Sequence, residues 1–259
     1  MVKPAPPGEI LQLLYLGERL KRMPPATFVE IGPGRGAISR LLLSMGWKGI
    51  AYELGAASAA DLAHQFREDI ADARYQVMSG NWLTSTPSGA IDLVISCMVM
   101  EHLDHRLELA FMRRAAESLR PGGRMIGLVP AAPKYWGIED DIAGHHRRYT
   151  RLALLDLMER SGWTLTHVCG LTFPVSNFLL PLSNRLVQRA ECQMLELSRM
   201  ERTVHSGRRT VPGKTHFPTM MGLLLNPVVM RPFHWLQKLC GKSESALVLY
   251  FEAQPIDSR

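Results

Sequence analysis

The sequence predicts an α/β domain built on a mostly parallel sheet, and three observations carry that prediction. Short apolar runs alternate with segments of helical spacing, the pattern of βαβ units with right-handed crossovers. Several runs, such as IDLVISCM (91–98), are continuously apolar, as strands buried on both faces are. A glycine-rich turn, GPGRG (32–36), joins the first run to the next helix.

The elements follow in order. A helix over about 8–22, within an N-terminal element 1–23, ends at Pro24-Pro25, because proline lacks the donor and restricts its predecessor. ATFVEI (26–31) is a strand and the helix after the glycine turn runs through Leu43. KGIAYEL (48–54) is a second strand, 56–69 a helix, RYQVM (74–78) a third strand and IDLVISCM a fourth. A helix over 105–119 leads through LRPGGR to MIGLVP (125–130), the fifth strand. Residues 131–149 form a polar loop, 150–161 a helix, WTLTHVCG (163–170) a strand and ALVLYFEA (246–253) the last one. Segment 176–245 breaks the alternation and is a helical insertion before the last strand, within a single domain spanning 1–259.

Composition excludes other classes. With 46% apolar and 21% charged residues, the 259-residue chain is neither disordered nor fibrous. No apolar stretch approaches the ~20 residues of a membrane-spanning helix, and the N-terminus lacks a secretory cleavage pattern. Four cysteines without a CxxC point to a reducing, cytoplasmic setting. The net charge of +6 lies entirely in 176–245, which holds 10 basic and 4 acidic residues. Nucleic acid, an anionic membrane surface and simple solvation each account for such a basic segment.

The chemistry gathers at strand ends. Gly32, Gly34 and Gly36 permit a sharp turn and close approach of a ligand. Glu30 lies two residues before Gly32, where a carboxylate meets an α-amino group; Glu53 ends the second strand, where it accepts ribose hydroxyls. The site therefore binds an adenine nucleoside. Gly32-x-Gly34-x-x-Ala37 also satisfies the loose dinucleotide fingerprint, which keeps an NAD-dependent oxidoreductase open.

Taken together, FVEIGPGRG, AYELG, SGNW (79–82), IDLVISCMVMEHL (91–103) and LRPGGRMIGLVP (119–130) resemble the class I S-adenosylmethionine-dependent methyltransferases, over about 24–170 plus 246–254. The resemblance implies a Rossmann-like seven-stranded sheet with an antiparallel last strand, and S-adenosylmethionine as cofactor. It implies that Glu30 holds the methionine amine, Glu53 the ribose, and Asn81-Trp82 flank the adenine. Met98, in the fourth-strand motif, joins them on the cofactor side. CMVMEH further resembles the ubiquinone-type O-methyltransferases, in which another glutamate joins a Glu-His pair around a divalent cation; here that position is Met98, so no metal is expected.

His102 is a candidate base. GHHRRYT (144–150) resembles a GHxRRY pattern of bacterial small-molecule and glycan-type methyltransferases. In it His145 is a second candidate base and Tyr149 a candidate pocket residue, with Arg147 and Arg148 placed to clamp an acidic acceptor. The alternative is that this motif pins its loop to Glu139-Asp140-Asp141. Residues 216–236, apolar and bent by proline, suit an acceptor lid, ordinary packing on the core, or a peripheral membrane contact. The expectation is a methyltransferase acting at oxygen on a small or lipid-linked acceptor. An RNA methyltransferase and a non-catalytic nucleoside-binding scaffold are the alternatives; nucleic acid is disfavoured because few aromatics interleave the basic residues.

Overall fold

The computed structural model describes residues 4–85, 90–206, 211–215 and 217–256. Helix α1 (Pro7–Leu20) starts on proline, whose fixed φ suits a first turn. Strand β1 (Thr27–Ile31), helix α2 (Ala37–Ser44) and strand β2 (Lys48–Glu53) follow, with Gly36 in the left-handed region (φ 72°) at the entry to α2. The helix expected over 56–69 is two, α3 (Ala56–Gln65) and α4 (Arg67–Ala71), broken at Phe66 as its ring turns into the core. Next come β3 (Tyr75–Ser79), β4 (Ile91–Cys97) and α5 (His105–Ser118), whose first turn is capped by Asp104, accepting from Leu107 N at 2.8 Å. β5 (Leu119–Pro130) begins earlier than expected: Leu119 pairs with Ile91, the Pro-Gly-Gly run bulges, and pairing resumes at Leu93–Arg124.

The segment read as a polar loop contains a helix, α6 (Ile138–Ala143). Its signal was Asp140 three residues after Gly137: the Asp140 carboxylate accepts from Gly137 N at 2.9 Å, and Gly144 closes the end with φ 78°. α7 (Arg151–Ser161) is capped by Thr150 and leads to β6 (Trp163–Leu171). The insertion is helical, as expected: α8 (Val175–Glu191), α9 (Arg199–Ser206) and α10 (Arg231–Leu239) precede β7 (Val248–Pro255). Residues 207–210 and 216 of that segment, and 1–3 of the N-terminal element, lie outside the described residues.

The seven strands form one sheet in the order β3-β2-β1-β4-β5-β7-β6. β7 runs antiparallel to both neighbours; the remaining pairs are parallel. Strand alternation sends Val29, Val94 and Phe251 into an apolar layer with Phe111 and Leu154, and Phe28, Leu93 and Tyr250 into another with Leu16, Leu20 and Leu42. The parallel order reverses at β1 and β4, where an open sheet leaves a crevice beyond its carboxyl ends.

α1 is tied to the antiparallel strand by a charged fork. Arg19 Nε and Nη2 donate to the two Glu252 carboxylate oxygens at 2.6 and 2.9 Å, and Tyr250 Oη donates to Glu252 at 2.7 Å. Burial alone would raise the Glu252 carboxyl, but Arg19 and Tyr250 outweigh it and hold it below the usual range. Its stabilisation is thus present above the ordinary carboxylate range and lost as acid protonates it. Replacing Arg19 by Ala strands a buried charge and is expected to cost about 3 kcal/mol in urea unfolding at neutral pH. The difference from wild type should shrink once acid protonates Glu252; an undiminished difference there would count against the fork as its source.

Candidate active site

A cavity of about 1280 Å³ opens at the carboxyl ends of β1, β2 and β4. Its floor begins with Glu30, Gly32, Pro33 and Gly34, and Tyr52, Glu53 and Leu54 continue it from β2. Gly32 has φ 68°, and a Cβ there would lie 2.5 Å from Val99 Cγ2, so the turn after β1 accepts no side chain. Gly34 is also left-handed, φ 53°. Gly36 does not line the cavity: a Cβ on it would meet Phe66 Cε2 at 2.5 Å, so this glycine makes room for core packing rather than for ligand.

Glu30 is buried, with one oxygen accepting from Ser39 Oγ at 2.5 Å; Ser39 Oγ in turn meets Tyr75 Oη at 2.8 Å. Burial is the main cause that pushes its carboxyl up to about 7, against the Ser39 hydrogen bond, with Glu53 adding to the rise. Glu53 accepts from Gly55 N at 3.1 Å and faces the cavity. Asn81 lines it too, but its side-chain oxygen caps the short turn Trp82–Thr84 by accepting from Leu83 N at 3.0 Å. Trp82 borders the cavity while packing edge-on against Phe111, ring centroids 5.1 Å apart. Met98 lies beside it in a left-handed conformation, φ 55°, an uncommon state for a side-chain-bearing residue.

That turn carries Glu101 and His102 into the cavity wall, where α6 brings His145. His145 Nδ1 lies 2.9 Å from Asp140 Oδ1, and its Nε2 lies 3.8 Å from Glu101 Oε1. His102 Nδ1 meets Thr203 Oγ1 of α9 at 3.2 Å, and the two imidazoles cross edge-on at 4.8 Å. Burial, then the neighbouring His145 and His146, push the His102 imidazolium down to about 3, so this ring is neutral. Burial opposes ionisation of Asp140, but His145 and Arg148 hold its carboxyl below the usual range. Glu101 is fully buried; burial pushes its carboxyl up to about 7 against the pull of His145. Neither of its oxygens accepts a hydrogen bond among the described residues. One donor atom each from Glu101, His102 and His145 lies within 4.8 Å of the others, a set that suits a divalent cation. Sequence reasoning sought a third ligand at Met98; the geometry offers one from a loop over forty residues away.

Besides Gly36, two expectations differ from the structure. Tyr149 is a core residue, not a pocket one: it does not line the cavity, and its hydroxyl donates to buried Glu108. The Arg147 and Arg148 guanidiniums, expected to clamp an acidic acceptor, are engaged within the protein, although Arg148 borders the cavity. Arg147 donates to Glu108 at 2.7 Å and Leu103 O at 3.0 Å, and Arg148 to Asp140 at 2.8 Å and Ala131 O at 3.1 Å. The motif pins its loop, as the alternative had it, with Glu108 of α5 as a partner outside the acidic run. Residues missed from sequence are Ser39, Asp140 as the partner orienting His145, and Thr203; only Asp140 carried a signal, its place three residues after Gly137.

The far wall belongs to the insertion and to α1. Leu179, Leu186, Phe217, Met221 and Leu225 face the floor across the cavity, and Gln12, Leu13 and Leu16 flank them.

A glycine-floored crevice at the switch point of such a sheet, with two carboxylates at adjacent strand ends, defines a nucleoside-binding α/β enzyme. The sequence profile of a family described as a methyltransferase domain matches residues 9–168, and the chain belongs to that family. Among curated proteins, none matches. Solved structures share the fold at low identity. The glycopeptide N-methyltransferase MtfA, in complex with S-adenosyl-L-methionine, superposes with TM-score 0.51 and 16% identity, covering 61% of this chain and 79% of its own. The pyocyanin biosynthetic protein PhzM gives 0.51 and 17%, covering 62% and 52%. The methyltransferase domain of bacterial CtHen1 gives 0.53 and 15%, covering 66% and 93%. An oxidoreductase and a non-catalytic scaffold are thereby set aside.

If Tyr149 is structural, Tyr149→Phe should lower stability by about 1 kcal/mol, the scale of one hydrogen bond, and leave S-adenosylhomocysteine affinity unchanged by calorimetry. Weakened cofactor binding without a stability loss would return it to the site.

Proposed function

We propose that the chain is an S-adenosylmethionine-dependent O-methyltransferase of an apolar, lipid-linked acceptor. The observation that carries this is the continuity of one cavity, from the Glu30–Gly34 and Glu53 floor, past His145, to the apolar wall of the insertion. The floor fits the cofactor: the turn at Gly32 and Gly34 lines it with bare backbone, and the two carboxylates Glu30 and Glu53 offer acceptors for an amine and a ribose. S-adenosylmethionine supplies, when bound, a methyl already activated on sulfonium sulfur, so the protein's task is alignment and exclusion of water. Asn81 and Trp82 would border the adenine and Met98 the sulfur side. The insertion would serve as the acceptor's lid, and unpaired cysteines suit the reducing compartment expected from sequence.

His145 is the base in this proposal. Asp140 accepts the Nδ1 proton, which leaves the Nε2 lone pair turned into the cavity to take the acceptor's hydroxyl proton, and the Asp140 carboxylate steadies the imidazolium that results. His102, neutral and bonded to Thr203, walls the same space and is the weaker candidate base. The bare oxygens of Glu101 favour a second form of the reaction, in which Glu101, His102 and His145 hold a divalent cation. The two forms compete for the same Nε2 and exclude each other.

Transfer of labelled methyl into a lipid extract tests both. His145→Gln should lower turnover about 10²–10⁴-fold, the worth of a positioned base, with S-adenosylhomocysteine affinity retained. Activity that survives EDTA supports the base; activity lost to EDTA and restored by Mn²⁺ supports the cation. Label entering only water-phase products would overturn the lipid-linked acceptor.

S-adenosylhomocysteine should bind and NAD should not. Glu53→Ala should weaken cofactor binding by about 1–3 kcal/mol. Glu30 must ionise to receive an ammonium group, and burial places it near 7. S-adenosylhomocysteine affinity should therefore level off above that pH and fall about tenfold per unit below it. A flat calorimetric profile across the range would remove Glu30 from that role.

A further inference from the structure

α10 is built inside out. Its inward side is polar: His234 Nε2 meets Glu18 at 2.9 Å, and Gln237 donates to Leu11 O and accepts from Thr172 N, both at 2.9 Å. Its outward side is apolar: Trp235 is 68% and Leu239 85% exposed, with Phe233 and Leu236 between them. At 3.6 residues per turn, Pro232, Phe233, Trp235, Leu236 and Leu239 share one arc, opposite His234 and Gln237. A helix on a water-facing surface has the reverse pattern.

The chain leading into α10 continues that surface. Met220, Leu223, Leu224 and Val228 are each well over half exposed. This segment is held against α8 and α1, where Leu225 packs with Met230, Val175 and Ile10. Phe178 of α8 is 88% exposed. Residues 202–243 contain seven Lys and Arg and no Asp or Glu. Arg231 and Lys242, at the two ends of α10, are exposed. No described helix is long and apolar enough to cross a membrane.

We propose that α10 and the 219–230 segment form a face that docks on an anionic lipid bilayer, with Trp235 and Leu239 entering the interface and the basic residues meeting lipid headgroups. Exposed apolar groups, a tryptophan and exposed flanking cations are what an interfacial helix presents; Glu18 of α1 pairs with Lys238 on the same helix, so Arg231 and Lys242 carry the headgroup contact. A second copy of this chain is the poorer occupant, because an isologous contact would bring two strongly basic segments together. The elements concerned are also the acceptor wall: Met221 and Leu225 face the cavity while Met220, Leu223 and Leu224 face outward. Docking would therefore set the cavity beside the bilayer. The proposal does not depend on the acceptor assigned above, since vesicle binding is read without any methyl transfer.

Flotation of the full chain with vesicles tests it. The protein should float with about 3:1 phosphatidylcholine–phosphatidylglycerol vesicles and far less with phosphatidylcholine alone. Trp235→Ser with Leu239→Ser should reduce flotation about tenfold or more. Arg231→Gln with Lys242→Gln should reduce it on anionic vesicles only. Far-ultraviolet dichroism and S-adenosylhomocysteine calorimetry check that the variants stay folded. Failure of the wild type to float, or floating unaffected by both pairs of changes, would overturn the proposal. So would a homodimer in light scattering that Leu239→Ser dissociates, which assigns the face to a second copy. Tight, steeply salt-dependent retention by mixed RNA, with no vesicle binding, would assign the charge to nucleic acid instead.

Discussion

The buried Asp140 carboxylate organises the reactive end of this protein. It accepts from Gly137 N, His145 Nδ1 and Arg148 Nε at once. The first bond starts α6, the second turns His145 toward Glu101, and the third locks the GHHRRY strap to the end of β5 through Ala131. A buried anion is expensive unless its lone pairs are filled, and here three donors fill them. The polar loop therefore becomes a rigid wall of the cavity, and the same charge that builds it sets the tautomer of the histidine within it.

The two halves of the cavity use different physics. The floor is main-chain geometry: left-handed glycines and a left-handed Met98 steer short turns off parallel strands, so carboxylates and backbone come close to a ligand. The far wall is side-chain bulk, leucines and methionines on helices that lie between β6 and β7. The strand ends of the sheet thus form the floor of the cavity, and one inserted segment, with α1, forms the wall opposite. Low identity to MtfA and PhzM over a common fold is consistent with that division.

Most of the fold was legible because its signals are local. Apolar runs and a glycine turn marked the seven strands and the insertion, and the resemblance supplied the antiparallel last strand. α6 was missed because a single turn of IEDD reads as polar loop unless Asp140 is seen to cap its own helix. The break at Phe66 was missed because helical periodicity carries no record of the Gly36 notch into which that ring packs. Glu30, Glu53, His102 and His145, singled out by strand-end position and motif, all line the cavity. Tyr149 and Arg147 turn away from the ligand space because their partner, Glu108, lies about forty residues away on α5, a pairing that only the tertiary structure makes; Arg148 is taken up by Asp140 and Ala131 O. The metal expectation rested on Met98, and a third donor from another loop has no signature along the chain.

Thr203 of α9 touches His102, and Arg199 on the same helix touches His146. α9 and the histidine-bearing wall are therefore mechanically coupled: displacing that helix would take a hydrogen-bond partner from each of the two rings at once, so their placement is a property of the insertion as much as of the sheet.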